Sequence, residues 1–470
     1  MSVKTSISHC IAAILLFSVT GCGVAQPEAA PLVIRGVTLI DGNGGPPLTA
    51  AVVVVDGGRI AAVGRLGDVE VPHDALVEDA TGQYLIPGLI DVHAHALVPT
   101  CEAMPEGAGF DWALSERVMR ALLRFGITTA RSPATPTALG VAMRDSIAAE
   151  RVVGPRLLVS GELINGMHMS PEAVREEIRA QAAVGVDYVK LYHRLRPEAV
   201  RAGIDEAHAH GLPVIGHLQQ TTWTEGLDAG IDYLTHAAPW TDEMLRPEGR
   251  ERYHRALERR GGMRARIDWL EALDPEGAEV GAVVADLAER RVPLDPTLVA
   301  FDTKFSYDSA NARPVALRYR ENQNREAANG LSAVWEACGT PTDDWSAEDF
   351  QRATAAWPKL LALVRRYHQG GVLLAAGSDT PNSWVIPGES LHRELELLVE
   401  AGIPPDKVLQ VATRNGAEAL GLLKETGTVE PGKRADLVLL RANPLSNISN
   451  TRRIVWVMRG GIRYRPQDLE

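Results

Sequence analysis

A chain of 470 residues is too long for one small core and suits a barrel domain of roughly 250 residues or more, with room for a smaller second domain. Hydrophobic residues at 45% and charged residues at 23% describe an ordinary globular chain and exclude a disordered, repetitive or polytopic membrane protein. A formal charge of -12 opposes a nucleic-acid partner, whose phosphates demand basic surface, and favours a small or cationic ligand.

At the N-terminus Lys4 precedes an apolar run over residues 11–19 that is too short to cross a bilayer and ends in small residues, so residues 1–22 read as an export signal. The junction Val19-Thr20-Gly21-Cys22 resembles a bacterial lipoprotein processing box, with Cys22 lipidated as the first mature residue. Residues 23–31 would form the tether, and acyl chains on Cys22 would hold the protein at a membrane surface of the cell envelope, facing the periplasm or in the outer membrane. An ordinary signal with a chance cysteine is the plainer alternative. Cys10 also belongs to this leader, which leaves Cys101 and Cys338. These could pair in an oxidising compartment, but sequence does not give their separation, and two buried, idle thiols are the expectation.

Residues 32–40, 51–55 and 59–63 are short β-type runs separated by Gly- and Asp-rich turns, the pattern of a small antiparallel sheet. Residues 435–440 and 454–458 repeat that style. One β-sandwich-like domain built from 32–84 and 426–470 is expected. Between them, over 85–425, β-rich runs alternate with helical ones as a parallel α/β fold requires. Eight candidate strands (84–93, 127–132, 156–161, 187–192, 213–218, 233–238, 294–299 and 372–379) predict a TIM (β/α)8 barrel. Long charged, helical insertions before and after the seventh strand would lie over its C-terminal mouth.

Chemistry enters at Leu85-Ile-Pro-Gly-Leu-Ile-Asp-Val-His-Ala-His95. Period two along a strand puts His93 and His95 on one face, where both rings can reach a single metal. Four more candidates end later strands: Lys190 in Val186-Asp-Tyr-Val-Lys190, His217 in Val214-Ile-Gly-His217, His236 in Tyr233-Leu-Thr-His236 and Asp379 in Ala375-Ala-Gly-Ser-Asp379. Barrel enzymes assemble their sites at these strand ends.

This order and context resembles the amidohydrolase superfamily, in its imidazolonepropionase-like and prolidase-like branch. The segments Gly388-Glu-Ser-Leu-His-Arg-Glu-Leu-Glu-Leu397, Ala412-Thr-Arg-Asn-Gly-Ala417 and Gly427-Thr-Val-Glu-Pro-Gly-Lys-Arg-Ala-Asp-Leu-Val438 share the likeness. The resemblance implies that His93, His95 and Asp379 hold one Zn2+, that His217 and His236 hold a second, and that Lys190 bridges them as a carbamate. It further implies hydrolysis of an amide or dipeptide-type C–N bond, with Asp379 as general base and then acid toward a hydroxide shared by the metals. Phosphotriester or lactone hydrolysis would use nearly the same centre. A mononuclear deaminase is disfavoured because His217-Leu-Gln-Gln220 lacks the expected glutamate. A non-catalytic lipoprotein binding module would be marked by missing ligands, and none of the six is missing.

The remaining polar candidates have plainer readings. Tyr192 and His193 read as solvated loop residues, and His392 as helix packing. His73, His168, His208, His210, His254 and His368 read as surface, as do Arg264, Arg266, Lys304 and Arg318, although such cations could anchor a substrate carboxylate.

Overall fold

The computed structural model describes residues 30–104, 109–306, 325–339 and 341–470. The expected signal, Cys22, most of the tether and Arg318 lie outside the described residues.

Five strands open the chain: β1 (Leu32–Leu39), β2 (Leu48–Asp56), β3 (Arg59–Arg65), β4 (Leu76–Asp79) and β5 (Tyr84–Pro87). The β2–β3 hairpin turns on Gly57 and Gly58, with φ of 52° and 76°. Two consecutive positive φ values are what a two-residue hairpin turn needs, and glycine reaches them without strain. The barrel then uses β6 (Leu89–Asp91), β9 (Ile127–Ser132), β10 (Arg156–Val159), β11 (Val189–Leu191), β12 (Val214–Gly216), β13 (Tyr233–Thr235) and β14 (Leu294–Asp295). A small hairpin, β7 (Val98–Thr100) with β8 (Gly109–Asp111), follows β6. Strands β15 (Leu437–Leu440), β16 (Ile454–Arg459) and β17 (Ile462–Tyr464) close the chain.

Both chain ends share one sheet in the order β17-β16-β15-β5-β1-β2-β3, with β4 beside β1. The sheet is mixed where an antiparallel one was expected, because β1 runs parallel to β4 and β5. One face buries Ile34, Val53, Leu85, Leu437 and Trp456, and the other Val33, Val52 and Val54. The two faces alternate along β1 and β2 as a pleated strand dictates.

The predicted first barrel strand divides at Gly88, with β5 in the terminal sheet and β6 in the barrel. A Cβ on Gly88 would lie 2.1 Å from Thr128 Oγ1, so only glycine lets the chain pass here. The barrel strands pair in parallel as β10-β9-β6 and β11-β12-β13-β14. Single bridges, Ser160 to Tyr188, Leu294 to Leu374 and Ala94 to Thr380, join the two groups and bring residues 372–380 in as the eighth segment. The result is a (β/α)8 barrel. Its helices form where the sequence marks their ends, as at the Thr222–Glu225 capping box and the left-handed Gly185 after Pro171–Val184.

The insertions are helical: Pro247–Arg260, Gly262–Ala272 and Ala278–Glu289 precede β14, and Leu298–Ser306, Arg325–Cys338 and Ala347–Gln369 follow it. Here one expectation fails. Cys101 and Cys338 form a disulfide, with Cα atoms 5.8 Å apart. They are separated by 237 residues, and no local pattern reports a distance that only the closed barrel creates.

Helix Glu389–Glu400 packs Glu394 against the start of helix Leu298–Ser306, where its carboxyl accepts the Val299 N–H at 2.7 Å. Burial pushes this carboxyl up to about 8. A group whose folded pKa lies above its unfolded value stabilises the fold at low pH and loses that contribution as pH rises through the folded value. Glu394→Gln should therefore flatten the stability loss between about pH 5 and 8, by up to a few kcal/mol at the alkaline end. Urea melts across that range check this, and parallel wild-type and variant curves would refute it.

Candidate metal centre

The eighth segment meets the first strand at the mouth through backbone pairs. Asp379 N–H donates to His93 O at 2.7 Å and His95 N–H to Thr380 O at 2.6 Å. Beneath them Asp91 accepts from Ser378 Oγ at 2.6 Å, from Ser378 N at 3.0 Å and from His93 N at 3.1 Å. Burial raises this carboxyl to about 6 despite those bonds. The register thus fixed brings His93, His95 and Asp379 together, with one possible ligand atom from each lying within 4.8 Å of the others. Asp379 Oδ1 stands 3.3 Å from His93 Nε2 and 3.1 Å from His95 Nε2.

His217 and His236 form a second group, with His236 Nε2 2.9 Å from His217 Nδ1. The His236 and His93 rings lie 5.0 Å apart and bridge the two groups. Lys190 lies between them on β11, 2% exposed, and its amine reaches only Thr235 Oγ1 at 3.3 Å among the described residues. All six predicted residues line one cavity of about 370 Å3. His236 and Asp379 adopt φ of 72° and 62°, a region that non-glycine residues rarely enter and that concentrates at functional sites.

The charges here are set by burial. Loss of water holds the His217 and His236 rings far below their ordinary values, so both are neutral donors. It lowers Lys190 to about 7, with Arg131 adding to the effect and Asp295 and Asp379 opposing it. Burial works against the charged form of His93 too, but Asp295 and Asp379 outweigh it and raise the ring. Asp379 is held well below the carboxylate range because His93 and His95 offset its burial.

Sequence reading missed the groups that aim these ligands. Asp295, 0% exposed, binds His93 Nδ1 at 2.6 Å, and Thr297 Oγ1 binds His236 Nδ1 at 2.8 Å. Arg131, fully buried, donates to Val92 O at 2.7 Å and places its guanidinium 3.7 Å from the Tyr233 ring centre. A carboxylate inside a predicted barrel strand, the second residue of 294–299, was the available signal for Asp295. Tyr192 was also undervalued: it lines the cavity with its ring 4.6 Å from that of His217. Arg266 and Lys304 line it as well, against the surface reading, whereas Arg264 pairs with Asp344 and Asp349 outside it. His392 is buried between Thr451 and Phe125 O, and His73, His208, His210 and His254 are exposed.

A family model of the amidohydrolases matches residues 84–463. The chain belongs to the amidohydrolase family. Two curated relatives of this amidohydrolase are imidazolonepropionases. That of Agrobacterium fabrum is 24% identical over 414 residues, covering 83% of this chain and 84% of the relative. That of Rhizorhabdus wittichii is 25% identical over 412 residues, covering 85% and 90%. Among solved structures, a Xaa-Pro dipeptidase with bound methionine superposes with a TM-score of 0.66 at 18% identity, covering 93% of this chain and 100% of that one. Molinate hydrolase superposes with a TM-score of 0.64 at 19% identity, covering 94% and 96%. The family match places the chain among the amidohydrolases, and the solved structures share its fold.

The Asp295 bond fixes which His93 nitrogen faces the cavity. Loss of such a partner typically costs about 10–100-fold in metal affinity or activity. Asp295→Asn should weaken metal retention by that factor in a chelator competition while circular dichroism stays native. Unchanged retention would show that Asp295 does not orient the ring.

Proposed function

We propose that this amidohydrolase cleaves amide or dipeptide-type bonds of small molecules at a two-zinc centre. His93, His95 and Asp379 would hold one ion, His217 and His236 the other, and Lys190 would bridge them as a carbamate. The observation that carries this reading is the convergence, on one cavity, of four histidines and an aspartate, all able to ligate metal, and a buried lysine with no carboxylate bound to it among the described residues. The donor chemistry fits. Two neutral imidazoles whose nitrogens face each other at 2.9 Å can each turn a lone pair to a cation. An amine near 7 is substantially unprotonated at neutral pH, and the free amine is the form that adds CO2.

Bound zinc would lower the pKa of a water toward neutrality and polarise the scissile carbonyl. The chain's own residues then do the proton work. Asp379, ionised and aimed into the cavity, accepts the proton of the attacking water and returns it to the leaving nitrogen, acting as base and then acid. Tyr192, beside His217, is placed to contact the substrate. The imidazolonepropionase relatives and the dipeptidase-like fold support the same bond class.

Elemental analysis of the mature protein after zinc and bicarbonate reconstitution should find about two zinc per chain. Lys190→Ala should lower that content and reduce kcat/KM on an amide panel by roughly 100-fold or more. A protein that binds no metal after reconstitution overturns the mechanism.

We further propose that the chain is exported and anchored through lipid at Cys22. The Cys101–Cys338 disulfide supports an oxidising compartment. Fractionated cells should carry the wild-type protein with membranes and Cys22→Ala in the soluble fraction. Wild-type protein found wholly in the soluble fraction would reject the anchor.

A further inference from the structure

Two cations in the cavity have no ion pair with a carboxylate among the described residues, although Asp379 lies close enough to Lys304 to attract it. Arg266 enters from helix Gly262–Ala272 and Lys304 from helix Leu298–Ser306. Along the first helix Arg264 turns outward to Asp344 and Asp349. Arg266, two positions on, points to the opposite side, as helical geometry requires. Its guanidinium lies 3.8 Å from Met263 Sδ and 5.0 Å from the Trp240 ring centre, within electrostatic reach of Tyr192 and Tyr253, and among the described residues its buried Nε has no acceptor. Lys304 Nζ lies 5.8 Å from the Phe301 ring centre. Half-buried cations of this kind are ordinarily paired.

Both lie close enough to the proposed metal ligands to perturb them: Arg266 acts on His217, and Lys304 on His236. An anion held by the pair would therefore stand beside the reacting bond. Asp379 is the single carboxylate among the cavity's described lining residues, and it faces His93 and His95. Among those residues a substrate ammonium finds no carboxylate that is not already engaged. Trp240, Phe301 and Met263 supply apolar wall next to the two cations.

We propose that Arg266 and Lys304 form a carboxylate-binding subsite that selects N-acylated amino acids with apolar side chains over dipeptides bearing a free amine. This rests on the amide-hydrolase reading and names its substrate class. In the reaction, water oxygen bonds to the acyl carbon, the C–N bond breaks, and a water proton ends on the nitrogen. The products are a carboxylic acid and a free amino acid, with no change of oxidation state.

The test pairs binding with turnover on the zinc-reconstituted mature protein. The binding probe is the ketomethylene isostere of N-acetylphenylalanine, whose scissile nitrogen is carbon, compared with its primary carboxamide by calorimetry. The carboxylate form should bind about tenfold or more tightly, as charge-assisted hydrogen bonds do. Arg266→Met and Lys304→Met should each erode that preference, and Arg266→Lys should keep part of it, which a merely structural role would not do. In turnover, N-acetylphenylalanine should exceed both its amide and glycylphenylalanine in kcat/KM, with the variants raising KM more than they lower kcat. Equal binding of acid and amide, or faster cleavage of the free-amine dipeptide, overturns the proposal even if amides are hydrolysed. Preferential binding of the acid with no amide cleaved would instead leave the subsite standing and remove the hydrolase reading.

Discussion

Strand one and the eighth segment touch through a few bonds on which the rest of the molecule depends. The Asp379–His93 and His95–Thr380 backbone pairs complete the ring, and Asp91 clamps the same seam by gripping Ser378 from below. Closing the barrel and assembling the first three ligands are thus one event. A slip of one residue along this seam would turn His93 and His95 away from the cavity, because side chains alternate along a strand. That is a strong reason for burying a costly carboxyl at Asp91, since an aspartate that accepts three hydrogen bonds holds register as well as charge.

The seam also explains how the site manages electrostatics without surrounding water. Burial strips charge from Lys190, His217 and His236, while the carboxylates of Asp295 and Asp379 favour the charged form of His93. The cavity therefore offers neutral nitrogen donors and one ionised carboxylate, a set suited to a cation. Away from the ligands the balance reverses, with Arg266 and Lys304 on the wall. The whole-chain charge of -12 suggested a small or cationic ligand, but net charge does not report the local field, and Arg266 and Lys304 line the cavity where a substrate would lie.

Period and punctuation made the barrel legible. Seven of the eight predicted ranges contain the observed barrel strand and the eighth, 372–379, stops one residue short of the Thr380 bridge, because strands buried on both faces read as short apolar runs between helices. The His-x-His spacing and the strand-end positions of Lys190, His217, His236 and Asp379 were readable for the same reason. What was not readable depends on closure. Asp295 matters only because it faces His93 across 202 positions of sequence, Arg266 because its helix folds over the mouth, and Cys101 because Cys338 arrives beside it. Arg266 and Cys101 have no local signature, and Asp295 only that of a carboxylate in a predicted strand; what each does exists only in three dimensions.

The terminal sheet carries a cost in the order of synthesis. Val438 pairs with Ile86, and Leu439 with Leu85, so a strand made early waits for a partner made roughly 350 residues later. Until then β5 presents an unpaired edge rich in apolar side chains, the kind of surface that recruits stray strands. Exposure of that edge lasts until the last segment emerges, and removing β15–β17 would leave β5 as a permanent edge strand of the first-made sheet.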